Sequence, residues 1–133
     1  MIETTDDTMQ SNAEFLAGAV IGHKIASVSV EVNPNAKYYW ERGPYTVITL
    51  DNGTRVKLED TSDCCAYTEL QGFFLNPQNV DHVITGVRTE NDFHHWFIMA
   101  ETADIARMDV AWSEGNPYYY SYGFGIAVSK IED

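Results

Sequence analysis

Alternation of apolar and polar side chains is the dominant pattern in this chain, and it predicts a structure built mainly from β-strands. Val28, Val30 and Val32 alternate with polar neighbours, which is the period of a strand with one buried face. Further segments with strand character are found at 38–40, 45–50, 54–59, 83–89, 94–101, 106–112 and 118–129. We therefore expect a mainly antiparallel sheet of roughly six to eight strands.

The predicted strand at 118–129 has two very different faces. One face carries bulky side chains at Tyr118, Tyr120, Tyr122, Phe124, Ile126 and Val128. The other carries mostly small ones, at Tyr119, Ser121, Gly123, Gly125, Ala127 and Ser129. A strand face with small side chains lets another backbone or a ligand approach closely, so this face is a candidate contact surface. One hypothesis is that it joins two copies of the chain in a homo-oligomer.

The clearest turn signal is Asn52-Gly53, between the predicted strands 45–50 and 54–59. Asn-Gly between two β-type runs is typical of a hairpin, because both residue types accept the positive φ values that a two-residue turn requires. We therefore interpret Asn52 and Gly53 as structural residues of a β-hairpin.

Two segments are predicted to be helical. A principal helix is expected at about 64–75, with Ser62 or Asp63 as its N-terminal cap. Its apolar residues would share one helical face, at Ala66, Leu70, Phe73 and Phe74. A short N-terminal helix is expected at 13–20, capped by Asn12.

These elements together predict a single α+β domain over residues 13–133. Residues 1–12 are rich in Thr, Asp, Ser and Asn, and this composition indicates a mobile acidic tail. A chain of 133 residues is long enough for one hydrophobic core and too short for several domains of ordinary size.

The charge balance limits the partners that the protein can take. Twenty acidic and eight basic side chains leave a formal net charge of -12, which repels nucleic acid phosphates and anionic membranes. No apolar stretch approaches the about 20 residues that span a bilayer, and the early apolar run 15–21 lacks a basic flank, so we expect neither membrane insertion nor secretion. The expected location is the cytoplasm, and the expected partner carries a basic surface.

The two cysteines are adjacent, at Cys64 and Cys65, directly after Asp63. Cysteines in zinc sites are usually about two to four residues apart, so neither a metal nor another cofactor is predicted. A nucleophilic thiol would need a base such as His82 or His94, and the neighbouring acids favour the neutral thiol. We therefore interpret Asp63, Cys64 and Cys65 as structural and expect no enzymatic activity.

Aromatic residues are the other candidates for function. Most of them fall on predicted core faces, but Tyr39, Trp40 and Tyr119 are not easily placed inside a core. Exposed aromatics of this kind often form contact hot spots, with a neighbouring arginine as a polar anchor. We predict a binding surface formed by Tyr39, Trp40, Arg42 and Tyr119.

Several short motifs occur together along the chain. They are the hairpin at 50–54, Asp63-Cys64-Cys65 with Tyr67 and Glu69, Trp96-Phe97 with Ala100, and the segment 110–116 followed by Tyr118-Tyr119. The set resembles a family of small phage and prophage proteins with no assigned function, over roughly residues 22–128. Ala66 departs from the acidic or small polar residue usual at its position. The resemblance implies a phage origin, among phages of actinobacteria, and implies no catalytic residue.

The leading functional hypothesis is a non-enzymatic phage protein that binds a host protein in the infected cytoplasm and modulates its activity. One alternative is a sponge that sequesters a nucleotide-like signal, which requires that at least two of a small set of cations share a pocket: Arg42, Arg55, Lys57, Arg88 and Arg107. A second alternative is an acidic mimic of DNA, which requires its carboxylates to lie on one face.

Overall fold

The computed structural model of this protein describes residues 2–5, 9–38, 43–63, 66–113 and 125–129. These residues form one helix and ten strands, which are β1 (Ile2–Thr5), α1 (Met9–Val20), β2 (Ile25–Glu31), β3 (Tyr45–Leu50), β4 (Arg55–Glu59), β5 (Thr61–Asp63), β6 (Ala66–Leu75), β7 (Gly86–Glu90), β8 (His95–Met99), β9 (Asp104–Ser113) and β10 (Gly125–Ser129).

The described strands form two antiparallel sheets of five strands each. Their order is β1-β10-β4-β3-β2 in the first sheet and β5-β6-β9-β8-β7 in the second sheet. The predicted class, a mainly antiparallel α+β domain, is confirmed. The number of strands is larger than predicted, partly because β1 and β5 are short and show no long alternation.

One hydrophobic core joins the two sheets and the helix. Ile48 and Val56 of the first sheet belong to the same buried cluster as Trp96 and Met108 of the second sheet, and all four side chains are fully enclosed. Because alternate strand residues point to opposite sides, each sheet keeps a second face that points away from this core. These two outer faces are where functional contacts can form.

The hairpin predicted at Asn52-Gly53 is present between β3 and β4. Gly53 has a φ of 87°, and its N–H donates to the carbonyl of Leu50 at 2.9 Å. The Asn52 side chain accepts a hydrogen bond from the Thr54 N–H at 3.0 Å, which closes the turn from within. The turn therefore fixes the register of two central strands of the first sheet.

The helix predicted at 64–75 is wrong, because the structure places the ten-residue strand β6 at Ala66–Leu75. A β-bulge explains the error. The register of β6 against β9 shifts between Leu70 and Gly72, so Gln71 is an extra residue in the ladder. As a result Leu70 and Phe73 both pack against the core although they are three residues apart. That spacing imitates the i, i+3 pattern of an amphipathic helix.

Asp60, which lies between β4 and β5, stabilises the bulge through its side chain. Its Oδ1 accepts a hydrogen bond from the Leu70 N–H at 2.9 Å. Desolvation raises the pKa of Asp60 above its ordinary value of 3.8, and the negative charge of Glu69 adds to this rise, while the Leu70 hydrogen bond opposes it. The folded state is therefore less stable when the Asp60 carboxyl is ionised than when it is protonated.

Asp60→Asn is expected to stabilise the protein at neutral pH, by less than about 1 kcal/mol because solvent screens a partly exposed carboxyl. The amide oxygen still accepts the Leu70 hydrogen bond, and the charge is gone. A raised folded-state pKa favours the folded state below the unfolded pKa, and this advantage is lost as the pH rises through the folded pKa. The two proteins should therefore be equally stable below pH 3.8 and should diverge above it. Urea unfolding across this pH range measures the difference, and an equal difference at every pH would contradict the assignment.

The N-terminal helix is present and begins at Met9, which lies inside the segment predicted as a tail. Met9, Leu16 and Val20 are buried in the common core. The same segment contributes β1, which pairs with β10 at the edge of the first sheet. Residues 2–5 and 9–12 thus take part in regular structure, while the mobility of the predicted tail stays a prediction.

Strand β2 lies at the other edge of the first sheet. Val28 packs against the core, and its neighbours Ser27 and Ser29 are exposed, as the predicted alternation requires. Val30 of β2 and Val32, one residue beyond it, are 70% and 64% exposed, so the predicted apolar face is only partly covered. Edge position rather than residue type accounts for this exposure.

The loop between β7 and β8 has an unusual backbone. Asn91, Asp92 and Phe93 have φ values of 54°, 51° and 64°, in the left-handed region that costs roughly 1–2 kcal/mol per residue. Two indoles hold this loop. Trp112 Nε1 donates to the Asp92 carbonyl at 2.6 Å, and Trp96 Nε1 donates to the Phe93 carbonyl at 2.8 Å. The loop is therefore a rigid support for the start of β8.

Candidate functional site

The outer face of the second sheet carries a row of alternating arginine and phenylalanine side chains across four strands. In register, Arg88 of β7 lies opposite Phe97 of β8, Phe97 lies opposite Arg107 of β9, and Arg107 lies opposite Phe74 of β6. We call these four residues the Arg–Phe row. Neighbouring residues in such a row are close enough for direct side-chain contact.

Each guanidinium of the Arg–Phe row lies over an aromatic ring. The Cζ atom of Arg88 is 4.3 Å from the centroid of Phe97, and that of Arg107 is 4.7 Å from the centroid of Phe74. Both distances are well within the range of a cation–π interaction. The Phe74 side chain remains half exposed, so the row presents aromatic surface to solvent.

Carboxylates flank Arg88 on both sides. Glu90 Oε1 is 3.0 Å from Arg88 Nε, and Asp104 Oδ1 is 3.5 Å from Arg88 Nη1. The Sδ atom of Met99 lies 3.1 Å from the same Nη1. Arg88 is therefore held by contacts on three sides while its side chain stays 41% exposed.

Arg107 has a similar partner in Asp109 on its own strand. Asp109 Oδ1 is 3.2 Å from Arg107 Nε and also 3.2 Å from Nδ1 of His95. The carboxylate thus links a residue of β9 to a residue of β8. All three side chains are between about one third and one half exposed, so the cluster remains accessible.

Local sequence explains how Phe74 joins the row. The bulge at Gln71 resets the alternation of β6, and Phe74 consequently points outward on the same face as Arg107. Gly72 makes room for its ring: a Cβ atom at that position would lie 2.7 Å from Cε2 of Phe74. A glycine here lets the ring lie close to the strand, under the guanidinium.

The groups on this face are of kinds that proteins use in recognition. His95 and Asp109 resemble part of a catalytic triad, but within the described residues His95 makes no hydrogen bond to a serine, threonine or cysteine side chain. The described segments also hold no group of three or more His, Cys, Asp or Glu side chains arranged to bind a metal ion. The chemistry present is aromatic surface, fixed cations and paired carboxylates.

Six of the predicted binding and structural site residues lie outside the described residues, namely Tyr39, Trp40, Arg42, Cys64, Cys65 and Tyr119. Asp63 is the last residue of β5 and pairs with Ala66, the first residue of β6. The predicted binding surface and the role of the thiols therefore stay predictions. Asn52 and Gly53 form the hairpin described above.

The Arg–Phe row was not recognised in the sequence. The alternation at 106–112 does place Arg107 and Asp109 on one strand face, which is a signal available from the sequence alone. The other members of the row, Arg88, Phe97 and Phe74, lie 10 to 33 positions from Arg107 in the sequence. Only strand pairing brings them next to it.

Most of the chain matches the model of one protein family. A domain of unknown function, DUF7448, matches residues 18–126. The chain belongs to the DUF7448 family. No curated protein and no solved structure matches it. The predicted membership in a family without an assigned function is thus confirmed, and every strand of the Arg–Phe row lies within the DUF7448 match.

The described segments of the chain contain one helix, and that helix is not long and apolar enough to cross a membrane. The family match begins at residue 18, near the end of α1, so most of this helix precedes the matched part.

Proposed function

We propose that this protein is a non-enzymatic phage protein that binds a host protein through the outer face of the second sheet and thereby modulates its activity in the cytoplasm of the infected cell. The Arg–Phe row is the observation that carries the proposal. Arginine, aromatic residues and methionine are enriched in protein interfaces, and all three occur here on one accessible face.

The rigidity of the row supports a binding role. Arg88 and Arg107 are already oriented by aromatic rings and carboxylates in the free protein. Long side chains that are ordered before binding lose less conformational entropy when a partner docks, so more of the contact energy remains as affinity.

Charge favours a protein over a nucleic acid as the partner. Glu90, Asp104 and Asp109 alternate with the two arginines on this face, and the whole chain has a net charge of -12. Phosphate backbones would be repelled by such a surface. A partner with a mixed surface that offers basic and apolar groups would meet the carboxylates and the exposed ring of Phe74.

The DNA-mimic alternative requires an unbroken array of carboxylates. On this face each of the acids Glu90, Asp104 and Asp109 is paired with an arginine, which interrupts the negative surface. The face therefore supports the protein-binding proposal better than mimicry of DNA.

The phage origin in this proposal is supported by the motif resemblance, which covers the hairpin at 50–54, Asp63-Cys64-Cys65 and Trp96-Phe97. Small phage proteins are made in the host cytoplasm, and the acidic composition with its lack of a long apolar run is compatible with that location.

Arg107→Gln and Phe74→Ala are each expected to weaken capture of the partner about tenfold or more, because each removes one member of a cation–π pair at the centre of the face. The measurement is capture from an actinobacterial lysate on the immobilised protein, followed by quantitative mass spectrometry and titration calorimetry with the recovered protein. Phe74 is half exposed, so its loss should leave the fold intact, which circular dichroism can verify.

Lys24→Gln provides a matched control, since Lys24 is an exposed cation that directly precedes β2 of the first sheet and is not part of the Arg–Phe row. It should capture the partner as well as the unchanged protein. Failure to recover any specific protein, or equal recovery with Arg107→Gln, would overturn the proposal.

A further inference from the structure

The outer face of the first sheet contains a pocket of about 380 Å³ that is separate from the Arg–Phe row. Tyr45 and Val47 of β3 lie at its base, and both side chains are buried although they point away from the common core. The volume lies within the roughly 300–1,000 Å³ typical of small-molecule sites. A buried base with an open mouth is the shape of a ligand pocket.

Two cations of β4 line this pocket together, Arg55 and Lys57. They are two residues apart on one strand, so both side chains leave the same face of the sheet. The described part of the chain thus brings together two of the five cations that a small-molecule site was expected to use.

The two cations differ in their partners. Arg55 forms an ion pair with Glu31 of β2, which spans the intervening strand β3. The Nζ atom of Lys57 lies 4.3 Å from the centroid of the Tyr45 ring. Among the described residues Lys57 forms no ion pair with a carboxylate. Its positive charge is therefore available to an incoming anion.

The wall formed by β10 is small and polar. Ala127 and Ser129 line the pocket there, on the strand face whose small side chains indicated a site of close approach. Ala127 pairs with Lys57 and Ser129 pairs with Arg55 across the ladder, so each cation has a small neighbour beside it. This leaves space directly next to both charges.

We propose that this pocket binds a small phosphorylated molecule, with the phosphate held between Arg55 and Lys57 and accepting a hydrogen bond from the Ser129 hydroxyl. An arginine fork, an ammonium group and a hydroxyl together match the several acceptor oxygens of a phosphate. A carboxylate partner already present, Glu31, shows that an anion is accommodated beside Arg55. The face of Tyr45 is occupied by Lys57, so the ring orders the lysine and does not stack on the ligand.

Glu31 competes with such a ligand for Arg55. Hydrogen bonds from Arg55 and from Ser29 lower the pKa of Glu31, so it is negatively charged at neutral pH. A bound phosphate must share Arg55 with this carboxylate and meets its repulsion. Removing the charge of Glu31 should therefore strengthen binding, which is an effect that a purely structural ion pair would not produce.

The test is an NMR titration of the full chain with inorganic phosphate and, separately, with AMP. We expect amide shifts at Arg55, Lys57 and Ser129, binding that weakens about tenfold in Lys57→Met, and binding that strengthens severalfold in Glu31→Gln. Lys24→Gln removes an exposed cation that does not line the pocket and should leave both titrations unchanged.

Tighter binding of AMP than of phosphate would assign the site to nucleotides, and equal binding would assign it to the phosphate group alone. Either result supports the proposal. Absence of shifts at about 5 mM of both probes, or equal affinity in Lys57→Met and the unchanged protein, would overturn it. Since the Arg–Phe row lies on the other sheet, neither outcome depends on capture of a protein partner.

Discussion

Deletion of residues 1–17 is expected to unfold the protein, even though the family match begins only at residue 18. The deletion removes β1 and most of α1, including Met9 and Leu16, which are 2% and 0% exposed in the common core. Burial of each such side chain contributes about 1.5–3 kcal/mol, and a whole domain is stable by only about 5–15 kcal/mol. Loss of dispersed NMR amide signals and of the cooperative thermal transition would measure the effect.

Point variants test whether the buried side chains of α1, rather than the shortening of the chain, account for the loss of stability. Leu16→Ala should lower the free energy of unfolding by about 2–5 kcal/mol, because it leaves a cavity at a fully buried position. Glu14→Ala, at an exposed position of the same helix, should change it by less than about 0.5 kcal/mol. A truncated chain that unfolds cooperatively at the temperature of the intact protein would contradict the assignment of α1 to the core.

Trp96→Ala is expected to be the most damaging single substitution, with a loss of about 3–5 kcal/mol. Trp96 is the largest fully buried side chain of the described core. Its indole also donates to the carbonyl of Phe93, whose left-handed φ of 64° depends on such support. The substitution therefore creates a cavity and releases the loop at the start of β8. Urea unfolding followed by circular dichroism measures the loss.

Trp112→Phe is the matched comparison. Trp112 is only partly buried, stacks on His94 with ring centroids 5.7 Å apart, and donates one hydrogen bond to Asp92. Phenylalanine keeps the stacking and loses the hydrogen bond, so we expect a loss of about 1 kcal/mol. If Trp96→Ala were no more destabilising than Trp112→Phe, Trp96 would not be the central core residue that its burial indicates.

The two outer sheet faces give the protein two chemically distinct surfaces. The second sheet presents arginines already paired with rings and carboxylates, which suits a large, flat partner. The first sheet presents an open pocket in which Lys57 forms no ion pair with a carboxylate of the described residues, and this suits a small anion. Protein capture and phosphate titration therefore report on different parts of the molecule.

Most local structure could be predicted from neighbouring residues. Strand β3 has the predicted bounds, the Asn52-Gly53 turn closes the expected hairpin, and the alternation of Ile126 and Val128 with Ala127 is present in β10. These features depend on side-chain period and on residues that accept positive φ, both of which are properties of a few consecutive positions.

The prediction of a helix at 64–75 was wrong because it also depended on the spacing of a few neighbouring residues, and that spacing fits two structures. Gln71 is one extra residue in β6, so Leu70 and Phe73 are three positions apart in the sequence although both side chains contact the core. A short apolar segment with that spacing satisfies the helical period and the period of a bulged strand equally well. The pairing of β6 with β9 and the hydrogen bond from Leu70 to Asp60 select the strand.

The sequence by itself determined that this chain forms a mainly antiparallel α+β domain with an acidic surface, because period and composition are carried by each segment independently. Only the tertiary structure decided which side chains lie together. The Arg–Phe row joins Arg88, Phe97, Arg107 and Phe74 through the register of four strands. The phosphate pocket likewise needs β2, β3, β4 and β10 side by side. Outside the Asn52-Gly53 hairpin, strand order and register arise from long-range pairing and a shared core, and no local pattern encodes them.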